Sequence, residues 1–337
     1  MQIGFHLTPF WSPTDRSPTQ IIDEMIEVVR AASAMGYAWV SVGQHWTSYP
    51  TIWPQPFPII ARLAPETGTM QIKSSMILLP LLNPVDVAEN VATLDHITHG
   101  RLVLGIAIGY REQELEAAGL TRKDRAAKLQ ESLQIMKRLW AGEEVTFSGA
   151  YTKLTKSRMG FTTYQRPHPP IEMGAQSEGA TKRAARLADS VFFGPQVAWA
   201  DMKKLAEVYW KERREMGRNP AIGLGASRSL MVGKSKEDAA RVAQQYLEKT
   251  FNMYRSWEMQ EKDMVPLQLG FDRSLDDWAV VGSPKDCADK LLDVRESIGL
   301  DRVGFTIYSL PREPQARIDY LQMIAEEILR PAGALAT

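Results

Sequence analysis

The sequence is poor in the residues that build metal centres and cross-links: one cysteine, Cys287, and five histidines in 337 residues. A single cysteine excludes an intramolecular disulfide and a cysteine-based zinc cluster. An excess of one charge is also missing. Lys plus Arg and Asp plus Glu each total 40, so no net field draws the chain to nucleic acid or an anionic membrane. Basic runs such as Arg122-Lys123-Asp124-Arg125 are short and mixed, and read as solvated helix faces. No apolar run approaches the roughly 20 residues of a membrane span. The opening MQIGFHLTPF reads as a strand with no basic region ahead of it, not as a signal peptide. A glycine-rich turn after the first strand is absent, since Leu7-Thr8-Pro9-Phe10 stands there, which weighs against a doubly wound dinucleotide fold. The expectation is a cytoplasmic α/β protein with no nucleic-acid or membrane partner.

The most ordered stretch that is present runs from Gln71 to Tyr110. An apolar run at Ile72 and Met76-Ile77-Leu78-Leu79 stops at Pro80, and Asn83-Pro84 has the chemistry of a helix start. Val85, Ala88, Val91, Ala92 and Leu94 follow at helical spacing, Gly100 closes the helix, and Leu102 to Ile106 is a second apolar strand. Strand, helix and strand in about forty residues make one βαβ unit of a parallel sheet. Further strands are expected at 3–7, 39–42, 171–174, 190–193, 222–232 and 301–307, each followed by a helical pattern. Helical spacing resumes at Lys236 to Lys249 and continues to about Met264. Gly149 to Pro170, rich in turn residues, is long enough to be a lid. Eight alternations without a composition break predict a (β/α)8 TIM barrel, one domain over residues 1–337, with insertion loops at the C-terminal face of the strands.

In such a barrel the chemistry sits where strands end in their C-terminal loops. His6 lies near the end of strand one and His45 just past strand two. A lone histidine at such a place is more often structural than catalytic. The segment from Ile171 to Ala188 makes the best case for anion binding. A strand ends at Gly174, Ser177 can cap the helix that follows, and small residues including Ala175, Gly179 and Ala180 let a phosphate approach the helix N-terminus. Phe10, Trp11, Trp46, Tyr49, Trp53 and Phe57 cluster in loops after strands one and two, as the lining of an apolar pocket would. Phe10, Trp11, Trp46 and Trp53 are therefore substrate-pocket candidates for a small apolar or aromatic molecule. His96 and His99 stand one helical turn apart, but at the entry to strand four rather than its exit, so no metal site is expected there. His168, in RPHPPI, reads as a turn residue.

Pro80, Asn83-Pro84, Ala88-Glu89, Leu94-Asp95, Gly100-Arg101, Gly105 to Gly109 and Val281-Gly282-Ser283-Pro284 together resemble the bacterial luciferase-like, flavin-dependent monooxygenase family, along essentially the whole chain. The resemblance implies a two-component enzyme. A separate NAD(P)H:flavin reductase supplies reduced FMN (FMNH2), and O2 adds at flavin C4a to give a peroxyflavin that oxygenates the substrate. By position it assigns His45 to proton transfer, and Gln176, Ser177, Ala180 and Arg125 to the FMN phosphate. It places Ser75-Met76, a cis peptide in many members, together with Ile108 and Tyr110 along the flavin ring, and it implies a homodimer. Gln44 departs from the pattern, because an acidic residue is common there and an amide cannot act on the imidazole as a carboxylate does. Lys156 to Tyr164 also departs. Three alternatives share the same residues: a relative using deazaflavin F420 for hydride transfer, a non-catalytic flavin-binding protein, and a barrel hydrolase without a redox cofactor.

Overall fold

The computed structural model describes residues 1–7, 15–195, 197–218, 223–244, 275–307 and 310–335. Strands β1 (Gln2–Leu7), β2 (Trp39–Val42), β3 (Gln71–Ser74), β4 (Ile77–Leu78) and β5 (Leu102–Ala107) lie side by side and parallel. After an antiparallel hairpin, β6 (Val145–Ser148) with β7 (Lys153–Ser157), the sheet continues through β8 (Ile171–Ala175), β9 (Ser190–Phe193), β10 (Leu224–Val232) and β12 (Leu300–Ile307). Pairing of β12 with β1 and of β9 with β10 closes the ring. The result is the (β/α)8 barrel expected from the alternating pattern. The short β11 (Val280–Gly282) adds to β10 from outside the ring. It coincides with the VGSP segment.

Several helices start where their first residues offer caps. For α1 (Pro18–Ala34), Ser17 and Gln20 form a capping box. For α3 (Pro84–Ile97), the Asn83 side chain accepts from the amides of Val85 and Asp86, with Pro84 at the first position. Between these lies α2 (Pro56–Leu63). The short α4 (Glu112–Ala117) and the longer α5 (Arg125–Trp140) follow β5. Next come α6 (Glu178–Leu187), α7 (Trp199–Glu215) and α8, described over residues 236–244. The last two are α9 (Pro284–Ile298), opened by a Ser283–Asp286 capping box, and α10 (Pro314–Met323). The helix expected from Lys236 to about Met264 is described as far as residue 244, and residues 245–274 lie outside those described.

Strand three is not the single run expected. Its two halves align with β5 as Lys73 opposite Val103 and Ile77 opposite Ile106, so the strand holds one extra residue between them. The Ser75–Met76 peptide at this bulge is cis. The Ser74 hydroxyl replaces the lost ladder bonds, accepting from the Gly105 amide and donating to the Gly105 carbonyl, both at 2.9 Å. Gly105 is required there, because a Cβ would run into the Ser74 carbonyl and stand 2.9 Å from the Met76 sulfur.

The barrel interior carries charge that the sequence reading did not single out. Glu172 on β8 pairs with Lys73 on β3 and, at 2.6 Å, with Arg302 on β12. None of these strands is a neighbour of another, so the contacts can only cross the inside of the ring. Trp39 and Phe192 sandwich the Lys73 ammonium at 4.2 and 3.9 Å, a cation–π arrangement. Burial lowers the Lys73 pKa to about 8, although Glu172 pulls the other way. Burial pushes Glu172 upward, but Lys73 and Arg302 outweigh it and hold the carboxyl below its usual range.

The segment Gly149 to Pro170, expected as a lid, divides between the two ends of the barrel. The hairpin lies along α5, where Glu131 accepts from the amides of Ala150 and Tyr151, and the Tyr151 hydroxyl donates to Asp124. The rest returns to the entry side of β5. There Gln165 bonds the Asp95 carboxylate and the Leu102 carbonyl, and the His96 Nε2–H donates to the Thr162 carbonyl. His96 and His99 both pack edge-on to Tyr164.

Candidate active site

Just past β2, Gly43 leads into Gln44, His45 and Trp46. Gln44 does not serve His45. Its amide oxygen accepts from the Leu78 amide at 2.8 Å and so ties the end of β2 to β4. The carboxylate that the sequence reading missed beside His45 comes from α4. Glu114 Oε1 accepts from His45 Nδ1 at 3.0 Å and from the Trp46 amide at 2.9 Å. Arg111, at the cap of the same helix, donates to the Trp46 carbonyl at 2.7 Å and approaches Glu114 Oε1 at 3.4 Å. All three side chains are buried, His45 at 9%, Arg111 at 3% and Glu114 at 1% exposed. The second Glu114 oxygen, Oε2, is buried with no hydrogen-bond partner among the described residues. Gln55 adds a bond to the His45 carbonyl at 2.9 Å.

This arrangement fixes the imidazole tautomer. With Nδ1 donating to Glu114, the ring's lone pair lies on Nε2. Trp53 stands edge-on to the ring at 4.7 Å and Tyr110 at 5.9 Å, so the histidine sits in an aromatic wall. An arginine and a glutamate at the start of a short helix directly after a barrel strand was the readable signal for this pair.

The other expected residues that are described fall in several places. Met76 lies between Gly105 and Gly174, since a Cβ on Gly174 would stand 3.6 Å from the Met76 side chain. Ser75 adjoins Gly43, whose Cβ would stand 3.1 Å from the Ser75 carbonyl. Ile108 packs at the edge of the core. Ser177 caps α6 as expected, accepting from the Ala180 amide at 3.4 Å. Gln176, Ser177 and Gly179 are exposed, and nothing stands within 4 Å of where a Gly179 Cβ would be. Arg125 is no solvated surface cation. It is half-buried at the start of α5, donating to the Gly109 carbonyl at 2.6 Å and the Arg122 carbonyl at 3.0 Å. Trp46 packs on a shoulder cluster of Leu78, Leu81, Leu115 and Leu120. Phe57 packs against the main core and Tyr49 is 81% exposed. Phe10 and Trp11 lie outside the described residues.

His6 is set apart from His45. Its Nδ1 is 2.6 Å from the Ser41 hydroxyl, and its Nε2 is shut off from solvent with no hydrogen-bond partner among the described residues. Enclosure, with Lys73 adding to it, pushes its pKa down to about 3. Gly304 faces it because a Cβ there would collide with Trp39 and come within 2.7 Å of His6 Nε2. Among the described residues no group of three or more His, Cys, Asp or Glu could hold a metal ion. No described helix is long and apolar enough to cross a membrane.

The donor set suits a phosphorylated, planar cofactor. The first amides of α6, its capping hydroxyl and the Gln176 amide offer hydrogen bonds to an anion. The Ser75–Met76 bulge, Ile108 and Tyr110 present apolar surface to a ring. Fold and site thus define a (β/α)8 barrel with a carboxylate-held imidazole and an exposed, serine-capped helix N-terminus at its C-terminal mouth.

A profile of the luciferase-like monooxygenases matches residues 1–302, and the chain belongs to that family. It is similar to the oxygenase component of the flavin-dependent trigonelline monooxygenase of Acinetobacter baylyi, at 27% identity over 270 residues, 79% of this chain and 73% of that protein. It is also similar to the F420-dependent glucose-6-phosphate dehydrogenase of Nakamurella multipartita, at 32% identity over 175 residues, 49% of this chain and 50% of that protein. Among solved structures, the oxygenating constituent of 3,6-diketocamphane monooxygenase from Pseudomonas putida, in complex with FMN, superposes with a TM-score of 0.82 at 20% identity, over 100% of both chains. A likeness at that identity concerns the fold.

Proposed function

We propose that this protein is the oxygenase component of a two-component flavin-dependent monooxygenase. It would take reduced FMN from a separate NAD(P)H:flavin reductase and use O2 to oxygenate a small apolar or aromatic molecule. The observation that carries the reading is the buried His45 imidazole, held by Glu114 at the barrel mouth beside the Ser75–Met76 bulge. When bound, the reduced flavin supplies the two electrons by which one atom of O2 enters the substrate and the other leaves as water.

The chain's own residues have four tasks in this reading. Gln176, Ser177 and the first amides of α6, through Ala180, receive the phosphate, with Arg125 adding positive charge at the same mouth. Ser75, Met76, Gly174, Ile108 and Tyr110 support the ring. Trp46 and Trp53 give an apolar wall that keeps water out. His45 holds and moves one proton at Nε2 while Glu114 holds its tautomer. The reading takes residues 1–337 as one barrel domain, working in the cytoplasm as a homodimer.

Anaerobic titration of apo-protein with FMNH2 and with reduced F420, followed by air, tests the assignment. Tight FMNH2 binding with O2 uptake on aeration is expected, and binding of neither cofactor would overturn it. The similarity to an F420-dependent dehydrogenase favours one second reading, hydride transfer without oxygen. F420 binding without O2 uptake would select it.

A further inference from the structure

Arg228, in the middle of β10, carries a fully buried guanidinium that no carboxylate pairs with among the described residues. A buried charge without a counter-ion costs several kcal/mol unless fixed dipoles replace its water. Here carbonyl oxygens do so. Nη1 donates to the Ser227 carbonyl at 2.6 Å and the Gly194 carbonyl at 3.1 Å, and Nη2 donates to the Val197 carbonyl at 2.9 Å. The Trp199 ring covers the group at 4.1 Å. Burial pulls its pKa down to about 9. An apolar side chain would fill this position at lower cost, so what the arginine holds in place is informative.

It holds the chain leaving β9. Gly194, the first residue past that strand, accepts from Arg228 and donates to the Ala175 carbonyl at 3.1 Å. Its missing side chain makes the space that the Gln176 amide fills, for a Cβ on Gly194 would stand 2.6 Å from Gln176 Nε2. Gln176 immediately precedes Ser177, the cap of α6. A continuous line of contacts therefore runs from the Arg228 guanidinium through Gly194 to the residues at the anion-accepting helix end.

We propose that Arg228 is a positioning residue for that helix end: by fixing Gly194 it seats Gln176 and sets how strongly the mouth discriminates a flavin phosphate from an unphosphorylated flavin. The inference rests on the reading that α6 receives the phosphate. The measurement is an anaerobic titration of the full-length protein with photoreduced FMN and, separately, photoreduced riboflavin. The wild type should prefer FMN. In Arg228→Met the preference should fall about tenfold, the size of a lost charge-assisted hydrogen bond, with riboflavin affinity held to within about twofold. Gly194→Ala attacks the same line from its other end and should shift the preference in the same direction. It carries the test if thermal melting shows that Arg228→Met does not fold. A folded Arg228→Met that keeps the full preference, or one that weakens both flavins in parallel, overturns the proposal, and so does an unchanged preference in Gly194→Ala. A wild type with no preference would instead sink the phosphate reading of α6 itself.

Discussion

His6 and His45 end adjacent strands of the same barrel, and each has its Nδ1 bonded to a neighbour. The neighbour of His45 is the Glu114 carboxylate, at 3.0 Å. That of His6 is the Ser41 hydroxyl, at 2.6 Å, and the nearest charge is the Lys73 ammonium, which together with enclosure keeps the ring neutral. One imidazole is oriented by an anion in an aromatic wall at the mouth. The other is kept neutral among Trp39, Phe192 and an ion network. The residue type is the same, and the groups facing it decide whether it is equipped for proton transfer or for packing.

Four substitutions probe that contrast. His45→Asn should lower oxygenation by about 10²-fold or more, the usual worth of a positioned acid–base group, while the melting temperature stays near wild type. Lys73→Met leaves Glu172 with Arg302 alone, and should cost about 3–5 kcal/mol in urea unfolding, as breaking a buried ion pair does. Glu114→Gln should cost about 10–100-fold in turnover, the usual effect of losing the group that orients a functional histidine. His6→Asn is read in the pH dependence of stability. The folded His6 pKa of about 3 lies below its ordinary 6.5, so between these values the unfolded chain binds the extra proton. Stability due to this group is complete above pH 6.5 and falls by about 1.4 kcal/mol for each pH unit below it. Melting curves from pH 7 to 5 should be flatter for His6→Asn than for wild type.

How far this contrast was legible in the sequence depends on the distance between partners. The barrel was legible because apolar runs of strand length alternate with capped helical patterns, as at Asn83-Pro84 and Ser283-Pro284. The Ser177 cap and the position of His45 followed from counting strand ends. The interior network was not legible. Lys73, Glu172 and Arg302 stand on three separate strands with no local pattern that links them, and their partners lie 99 and 130 residues away. Glu114 escaped for the same reason, 69 residues from His45, and Gln44 drew attention to the wrong position. The segment from Gly149 to Pro170 has the composition of a lid, but composition does not say which end of the barrel a loop covers. The bonds of Gln165 to Asp95 and Leu102 place its second half at the strand entry, while Tyr151 at its hairpin reaches Asp124 at the start of α5.

The central claim is that the Glu114–His45 pair at the mouth, and not the histidine inside the barrel, governs the flavin chemistry. The most direct test is the rate of O2 uptake by FMNH2-loaded protein across pH, in wild type, Glu114→Gln and His6→Asn. A slower rate and an altered pH profile are expected for Glu114→Gln, and a wild-type profile for His6→Asn. A wild-type profile in Glu114→Gln, or an altered one confined to His6→Asn, would contradict it.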